Sequence, residues 1–190
     1  MEHLVARLYQ TSKNILTVKD LALIWGEGNR DRLKDKIFYY VKTGLLFRIT
    51  RGIFAKNRDY NPKELATSLY TPSYISFETV LRESGMIFQH YDSLFVASHW
   101  SRSVELDGHR FTIRKLKNEV LYNPTGIIQQ EGFSIAEKER AFLDMIYLFP
   151  AYYFDNLRPL DWEKCFEWVK LYQNRQLVKR LNTYHKNHAE

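Results

Sequence analysis

Two glycines in three positions, Gly26-Glu27-Gly28, interrupt a run of helical periodicity near the N-terminus. Glycine lacks a Cβ and enters left-handed backbone at little cost, so this triplet predicts a turn between two helices rather than one continuous rod. Before it, Thr17 precedes Leu21, Ala22, Ile24 and Trp25, and Asp20 follows Thr17 by three residues, as at a helix N-cap. After it, Asn29 is placed to cap a helix over about residues 29–43. The apolar stripe of that helix is Leu33, Ile37, Tyr40 and Val41, and Gly44 ends it. Leu4, Val5, Leu8 and Tyr9 predict a short amphipathic helix upstream. Downstream, LLFRITRGIFAKN reads as two short strands around a tight turn at Thr50-Arg51-Gly52.

The order is helix, helix, glycine turn, basic helix, hairpin, which is the element order of a winged helix-turn-helix. Charge singles out the same segment. The formal net charge is +6. Residues 1–60 hold 12 Lys+Arg against 6 Asp+Glu, and residues 61–190 hold 16 against 16, so the excess lies in the first third. A basic domain joined to a neutral one predicts two partners, one of them polyanionic. The basic helix carries Arg30, Arg32, Lys34 and Lys36. Arg32 is the candidate for a base edge, because arginine bridges O6 and N7 of guanine. Arg30, Lys34 and Lys36 flank the apolar stripe, and the two lysines suit phosphates. Asp31 and Asp35 repel phosphate. Asp31 favours the helix N-terminus electrostatically, and Asp35 suits either a cytosine amine or a neighbouring arginine. The hairpin supplies Arg48 and Arg51, with Lys56 and Arg58 beyond, and arginine beside glycine at a hairpin tip is able to approach the minor groove or backbone.

Asn61-Pro62 divides residues 1–60, the winged helix-turn-helix, from a mixed α+β domain over 61–190 with a helical C-terminus. Pro62 suits the first turn of a helix through Leu65, Ala66 and Leu69, and Pro72 ends it. Ser76 is expected to cap a helix with Phe77, Val80 and Leu81 inward. Strands are expected at Met86–Phe88, Leu94–Ala97 and Val120–Tyr122. Val104 and Leu106, Asp107-Gly108, then His109, Phe111 and Ile113 form the clearest hairpin, with a type I′ turn that pairs Leu106 with His109. Ser134 and Glu137 match a capping box ahead of Ala141, Phe142 and Met145. Asp161 opens a last helical pattern, broken near Asn174. Tyr152, Tyr153, Phe154 and Trp168 are candidates for a partner surface, but core packing is the better reading for most of them.

Several function classes find no support. Apolar residues are 45% of the chain and aromatic residues 15%, which argues for a folded core over disorder. No apolar run approaches the ~18 residues of a membrane span. The start MEHLVARLYQTSKN lacks the pattern of a signal peptide, and the single Cys165 suits a reducing cytoplasm. Six histidines are present, without metal-ligand spacing; His185 and His188 lie near a polar C-terminus. There is no phosphate-cradling glycine loop and no Gly-x-Ser-x-Gly elbow. Glu137, Lys138 and Glu139 are explained as a helix start. Neither an enzyme nor a cofactor is expected.

Three segments carry a resemblance: Gly44-Leu45-Leu46-Phe47-Arg48-Ile49-Thr50-Arg51-Gly52-Ile53-Phe54-Ala55, Pro72-Ser73-Tyr74-Ile75-Ser76-Phe77-Glu78-Thr79-Val80-Leu81 and Ile135-Ala136-Glu137-Lys138-Glu139-Arg140-Ala141-Phe142-Leu143-Asp144. In this order they resemble the AbiEi-type antitoxins of type IV toxin–antitoxin systems. The resemblance implies a winged helix that binds inverted repeats in its own promoter DNA, two copies on the repeats, and autorepression. It also implies a second domain that counters a nucleotidyltransferase toxin, directly or indirectly, in abortive infection by phage. A different reading of the residues is a regulator whose second domain senses a small molecule.

Overall fold

The structure, a computed structural model, describes residues 2–188. Helix α1 (Glu2–Gln10) leads into strand β1 (Ile15–Thr17), helices α2 (Val18–Trp25) and α3 (Arg30–Lys42), and strands β2 (Phe47–Thr50) and β3 (Ile53–Ala55). The turn after α2 forms at Gly26, which takes φ 61° and donates its N–H to the carbonyls of Ala22 and Leu23. Thr17 Oγ1 accepts from Asp20 N at 3.2 Å, and the Asp20 carboxylate accepts from Thr17 N at 2.8 Å, a reciprocal capping box. Asn29 Oδ1 accepts from the N–H groups of Asp31 and Arg32 at the start of α3. Leu8, Leu16, Leu21, Leu33, Ile37 and Phe54 are buried together beneath these helices. Each buried side chain of this size contributes on the order of 1.5–3 kcal/mol. Tyr9 is exposed, so the stripe of α1 is narrower than its sequence pattern.

Strand β1 is absent from the sequence reading. It pairs antiparallel with β3, giving the sheet order β1-β3-β2. Three residues directly before a helix cap are too few to display a strand period. Their alternation is nonetheless effective. Leu16 joins the helical core, while Ile15 points the other way into a larger core that also takes in Ile53 and Ala55.

That larger core belongs mostly to residues 61–188. Helix α4 (Pro62–Ser68) starts with Asn61 Oδ1 accepting from Lys63 N at 2.9 Å. Next come β4 (Ser73–Ile75), α5 (Phe77–Glu83), β5 (Ser93–Ser98), β6 (Arg102–Leu106), β7 (His109–Lys115), α6 (Asn118–Leu121), β8 (Ile127–Gln130) and β9 (Phe133–Ala136). The strands form one mixed sheet in the order β6-β7-β5-β4-β9-β8. The chain closes with α7 (Lys138–Leu148), α8 (Trp162–Trp168), a 3₁₀ turn at Val169–Tyr172 and α9 (Arg175–His188). The described residues therefore form an α+β fold with two sheets, and their last element is a helix. The Asp107-Gly108 hairpin forms in the expected register, Leu106 opposite His109, with both turn residues at positive φ.

Four expectations are corrected. Val120–Tyr122 is not a strand, because α6 occupies it. Met86–Phe88 lies outside the sheet. The Ser134–Glu137 capping box does not exist: Ser134 sits in β9, and Glu137 has no side-chain cap bond and pairs with Lys164 at 2.9 Å. Ser76 donates its hydroxyl hydrogen to Asp144 at 2.8 Å instead of capping α5.

The last substitution reflects a buried polar network. Arg140 and Asp144, one turn apart on α7, are both fully buried. Asp144 accepts from Tyr74, Ser76, Tyr172 and Arg140, and Arg140 also donates to the carbonyls of Thr125 and Val120. The network ties α7 to β4, α6 and the 3₁₀ turn, and every charge in it has partners.

Glu64 of α4 fixes the start of β1. Its buried carboxylate accepts from the N–H groups of Asn14 (2.7 Å) and Ile15 (2.9 Å). Gly132, at φ 85° between β8 and β9, makes room for it; a Cβ there would lie 2.6 Å from the Glu64 carboxyl. The Tyr60 hydroxyl donates to Asp107 at the tip of the β6–β7 hairpin. These contacts join the N-terminal segment to the large sheet.

Candidate nucleic-acid interface

Helix α3 and the β2–β3 hairpin enclose an open groove of about 390 Å³. Its floor is apolar, from Val18, Leu33, Ile37 and Phe54, and its walls carry Arg30 and Lys34 from α3 and Arg48 and Arg51 from the hairpin. Local structure explains the convergence. Residues 30, 34 and 37 share one side of α3 because spacings of three and four nearly complete a helical turn. Gly52 takes φ 83°, which closes the hairpin tip beside Arg51. The carbonyl of Gly52 accepts from Val18 N at 3.1 Å, so the tip is pinned to the start of α2. The Arg48 guanidinium lies over the Phe54 ring at 5.6 Å, a cation–π contact with the groove floor. Among the four cations, Lys34 carries an acidic neighbour, Asp31, at 3.1 Å on the exposed surface.

The remaining sequence candidates lie elsewhere. Lys36 is ion-paired with Glu27 at 2.6 Å, and this contact holds the Glu27 carboxyl below its ordinary value. Arg32 is exposed on that same Glu27 side of α3, away from the groove. Lys56 is corrected outright as a surface contact. It is 7% exposed, and its ammonium donates to the Thr11 carbonyl at 2.7 Å. Burial pushes its amine below the ordinary lysine value, opposed by the charge of Glu64. The cause is register: β1 pairs with β3, and Lys56 N donates to Asn14 O, which carries Lys56 under the end of α1. Arg58 lies against the Phe47 ring at 5.2 Å.

Phe38 on α3 escaped the sequence reading. It is 66% exposed, and it is absent from the apolar stripe read from the sequence. A helical wheel carries the signal, since Phe38 follows Lys34 by four residues and falls outside the Leu33–Ile37–Tyr40 stripe.

The proposed partner surface of residues 61–190 is also redistributed. Phe154 and Trp168 are buried and Tyr152 is half-buried, whereas Tyr153 is exposed. Cys165 is buried, and burial pushes its thiol well above the ordinary value. The acids of the Glu137–Glu139 segment have structural partners: Glu139 accepts from Asp161 N at 3.0 Å and Glu137 pairs with Lys164. Among the described residues no helix is long and apolar enough to cross a membrane.

No protein-family model and no curated protein sequence matches this chain. Among solved structures, it is similar to the crystal structure of the RV2827C protein from Mycobacterium tuberculosis. The likeness has a TM-score of 0.52 at 14% identity and covers 95% of this chain and 74% of that one. At that identity it concerns the fold alone.

Proposed function

We propose that residues 1–60 act as a winged helix-turn-helix that binds double-stranded DNA, with α3 as the recognition helix and β2–β3 as the wing. The observation that carries this reading is the groove in which Arg30, Lys34, Arg48 and Arg51 meet over an apolar floor. These side chains come from two elements separated in sequence, and they draw on the only third of the chain with excess positive charge. A helix and a hairpin tip bearing arginines match the two arms of such a domain, one for the major groove and one for the backbone or minor groove. Lys36 and Lys56 are outside the proposed contact set, and Arg32 is a peripheral member.

At the finer level, we propose an AbiEi-type antitoxin that represses its own promoter and counters a nucleotidyltransferase toxin through residues 61–190. This rests on the three resembling segments. The test has two arms. The full chain should retard duplex DNA from its own upstream region and not a shuffled duplex of equal length, with Arg48→Ala/Arg51→Ala abolishing the preference. Co-expression with the product of an adjacent nucleotidyltransferase-like frame should restore growth. Equal binding to both duplexes would remove the operator reading, and failure of rescue would remove the antitoxin reading.

A second reading, a regulator that responds to a small molecule, draws on a polar cleft of about 490 Å³ between the two parts of the chain. Lys13, Lys19, Thr17, Ser68, Thr71 and Gln130 are among its walls. Thermal stabilisation by a metabolite would favour that reading.

A further inference from the structure

Phe38 combines two properties that pull against each other. It is a large apolar side chain left 66% exposed, and it stands on the helix that carries the basic groove. At 3.6 residues per turn, it sits about 40° further round α3 than Lys34, on the face turned away from the core. Asp31, Asp35 and Lys42 share this outward face, and all three are exposed. Phe38 is therefore a large apolar group among charged residues on the outward side of α3, more exposed than Tyr39, the other exposed aromatic of this helix, at 44%. Most of its surface meets solvent, and that apolar area is available to a partner.

Duplex DNA offers one apolar group in the major groove, the 5-methyl group of thymine, and phenylalanine is among the side chains that meet it. Phosphate-binding cations at Arg30 and Lys34 on one side would hold the helix in register, and the phenyl ring would then face base edges. Asp31 and Asp35 fit the same picture: the outward face has few groups suited to phosphate and is left to read bases. We propose that Phe38 is a specificity-determining residue of α3 that packs against a 5-methylpyrimidine in the major groove. This rests on the DNA-binding reading above.

The experiment uses the full chain. A duplex is first selected by the protein from a random-sequence pool. Each thymine of the selected duplex is then replaced singly by deoxyuridine, which removes the methyl group and leaves every hydrogen-bonding group and charge in place. At one thymine, the wild-type chain should bind about four-fold more weakly, the worth of withdrawing one methyl group from a buried contact. Phe38→Ala should bind the thymine and deoxyuridine duplexes equally. Phe38→Leu, still apolar, should retain part of it. Because Phe38 is exposed, thermal unfolding of Phe38→Ala should match wild type, which separates lost contact from lost fold.

The outcomes are distinguishable. If no duplex is selected, the DNA-binding reading itself fails. If a duplex is selected but no thymine is sensitive, or wild type and Phe38→Ala lose the same factor, the assignment of Phe38 is overturned while DNA binding stands. If Phe38→Ala instead abolishes a self-association seen by sedimentation, without any deoxyuridine effect, the residue belongs to an interface between copies and the proposal is likewise overturned.

Discussion

Replacing Arg51 with alanine removes one of the four cations on the groove between α3 and the hairpin, and the consequence is calculable. Each phosphate neutralised by a protein cation changes the slope of log K against log salt by about −0.9. If all four groove cations meet phosphates, the slope is about −3.6, and affinity falls roughly 150-fold between about 50 and 200 mM salt. Arg51→Ala should flatten the slope by about 0.9, so that the same salt change costs only about 40-fold. The informative control is Lys56→Ala. Lys56 has the same charge and lies only five residues further along, but its ammonium is spent on the Thr11 carbonyl. Its replacement should lower thermal stability and leave the slope unchanged. Fluorescence anisotropy of a labelled duplex, titrated with protein at several salt concentrations, reads both quantities. A slope flattened equally by Lys56→Ala and Arg51→Ala would overturn this assignment of the groove cations, because the buried lysine would then be acting as a DNA contact.

Three further outcomes follow from the packing. Arg140→Ala leaves the Asp144 charge buried without its counter-ion and the carbonyls of Thr125 and Val120 without their donor, so urea unfolding should show a loss of about 3–5 kcal/mol; a loss under about 1 kcal/mol would mean the network relaxes freely. Gly132→Ala places a Cβ against the buried Glu64 carboxyl and demands left-handed backbone of an alanine, so it should cost about 1–3 kcal/mol, read by the same unfolding assay. Burial raises the Glu64 carboxyl above its ordinary value of 4.5, against the opposing N–H groups of Ile15 and Asn14 and the charges of Lys13 and Lys56. The folded chain therefore holds this proton more tightly than the unfolded one, and the contribution of the group to stability declines as pH rises from 4.5 through the raised value. Glu64→Gln should remove that part of the pH dependence of the melting temperature; an unchanged profile would show that the carboxyl is not held as described.

Much of the N-terminal segment was legible because its signals are local. Thr17 with Asp20, Asn29 before Arg30 and the paired turn glycines are short-range devices, and each forms as read. The Asp107-Gly108 turn is another, since two residues fix both its geometry and its register. What escaped depends on partners distant in sequence. Strand β1 exists because Ile53–Ala55 offers it an edge, and three residues cannot announce that alone. Ser134 and Glu137 have the spacing of a capping box, but pairing of β9 with β4 and β8 draws Ser134 into the sheet. In the candidate site, charge located the region, and the helical period placed Arg30 and Lys34. Exposure was the part that could not be read. Lys56 and Arg51 look alike in sequence, and only the β1–β3 register separates a buried lysine from a surface arginine.

In the proposed function, duplex DNA seats on the face formed by α3 and the β2–β3 hairpin. Backbone amide shifts of the labelled full chain, recorded by NMR as duplex from its upstream region is added, test this most directly. The signals of Arg30, Lys34, Phe38, Arg48, Arg51 and Gly52 should move first and furthest, while those of the β6–β7 hairpin and α9 stay in place. Perturbations centred on the large sheet or its helices, with α3 and the hairpin unmoved, would contradict it.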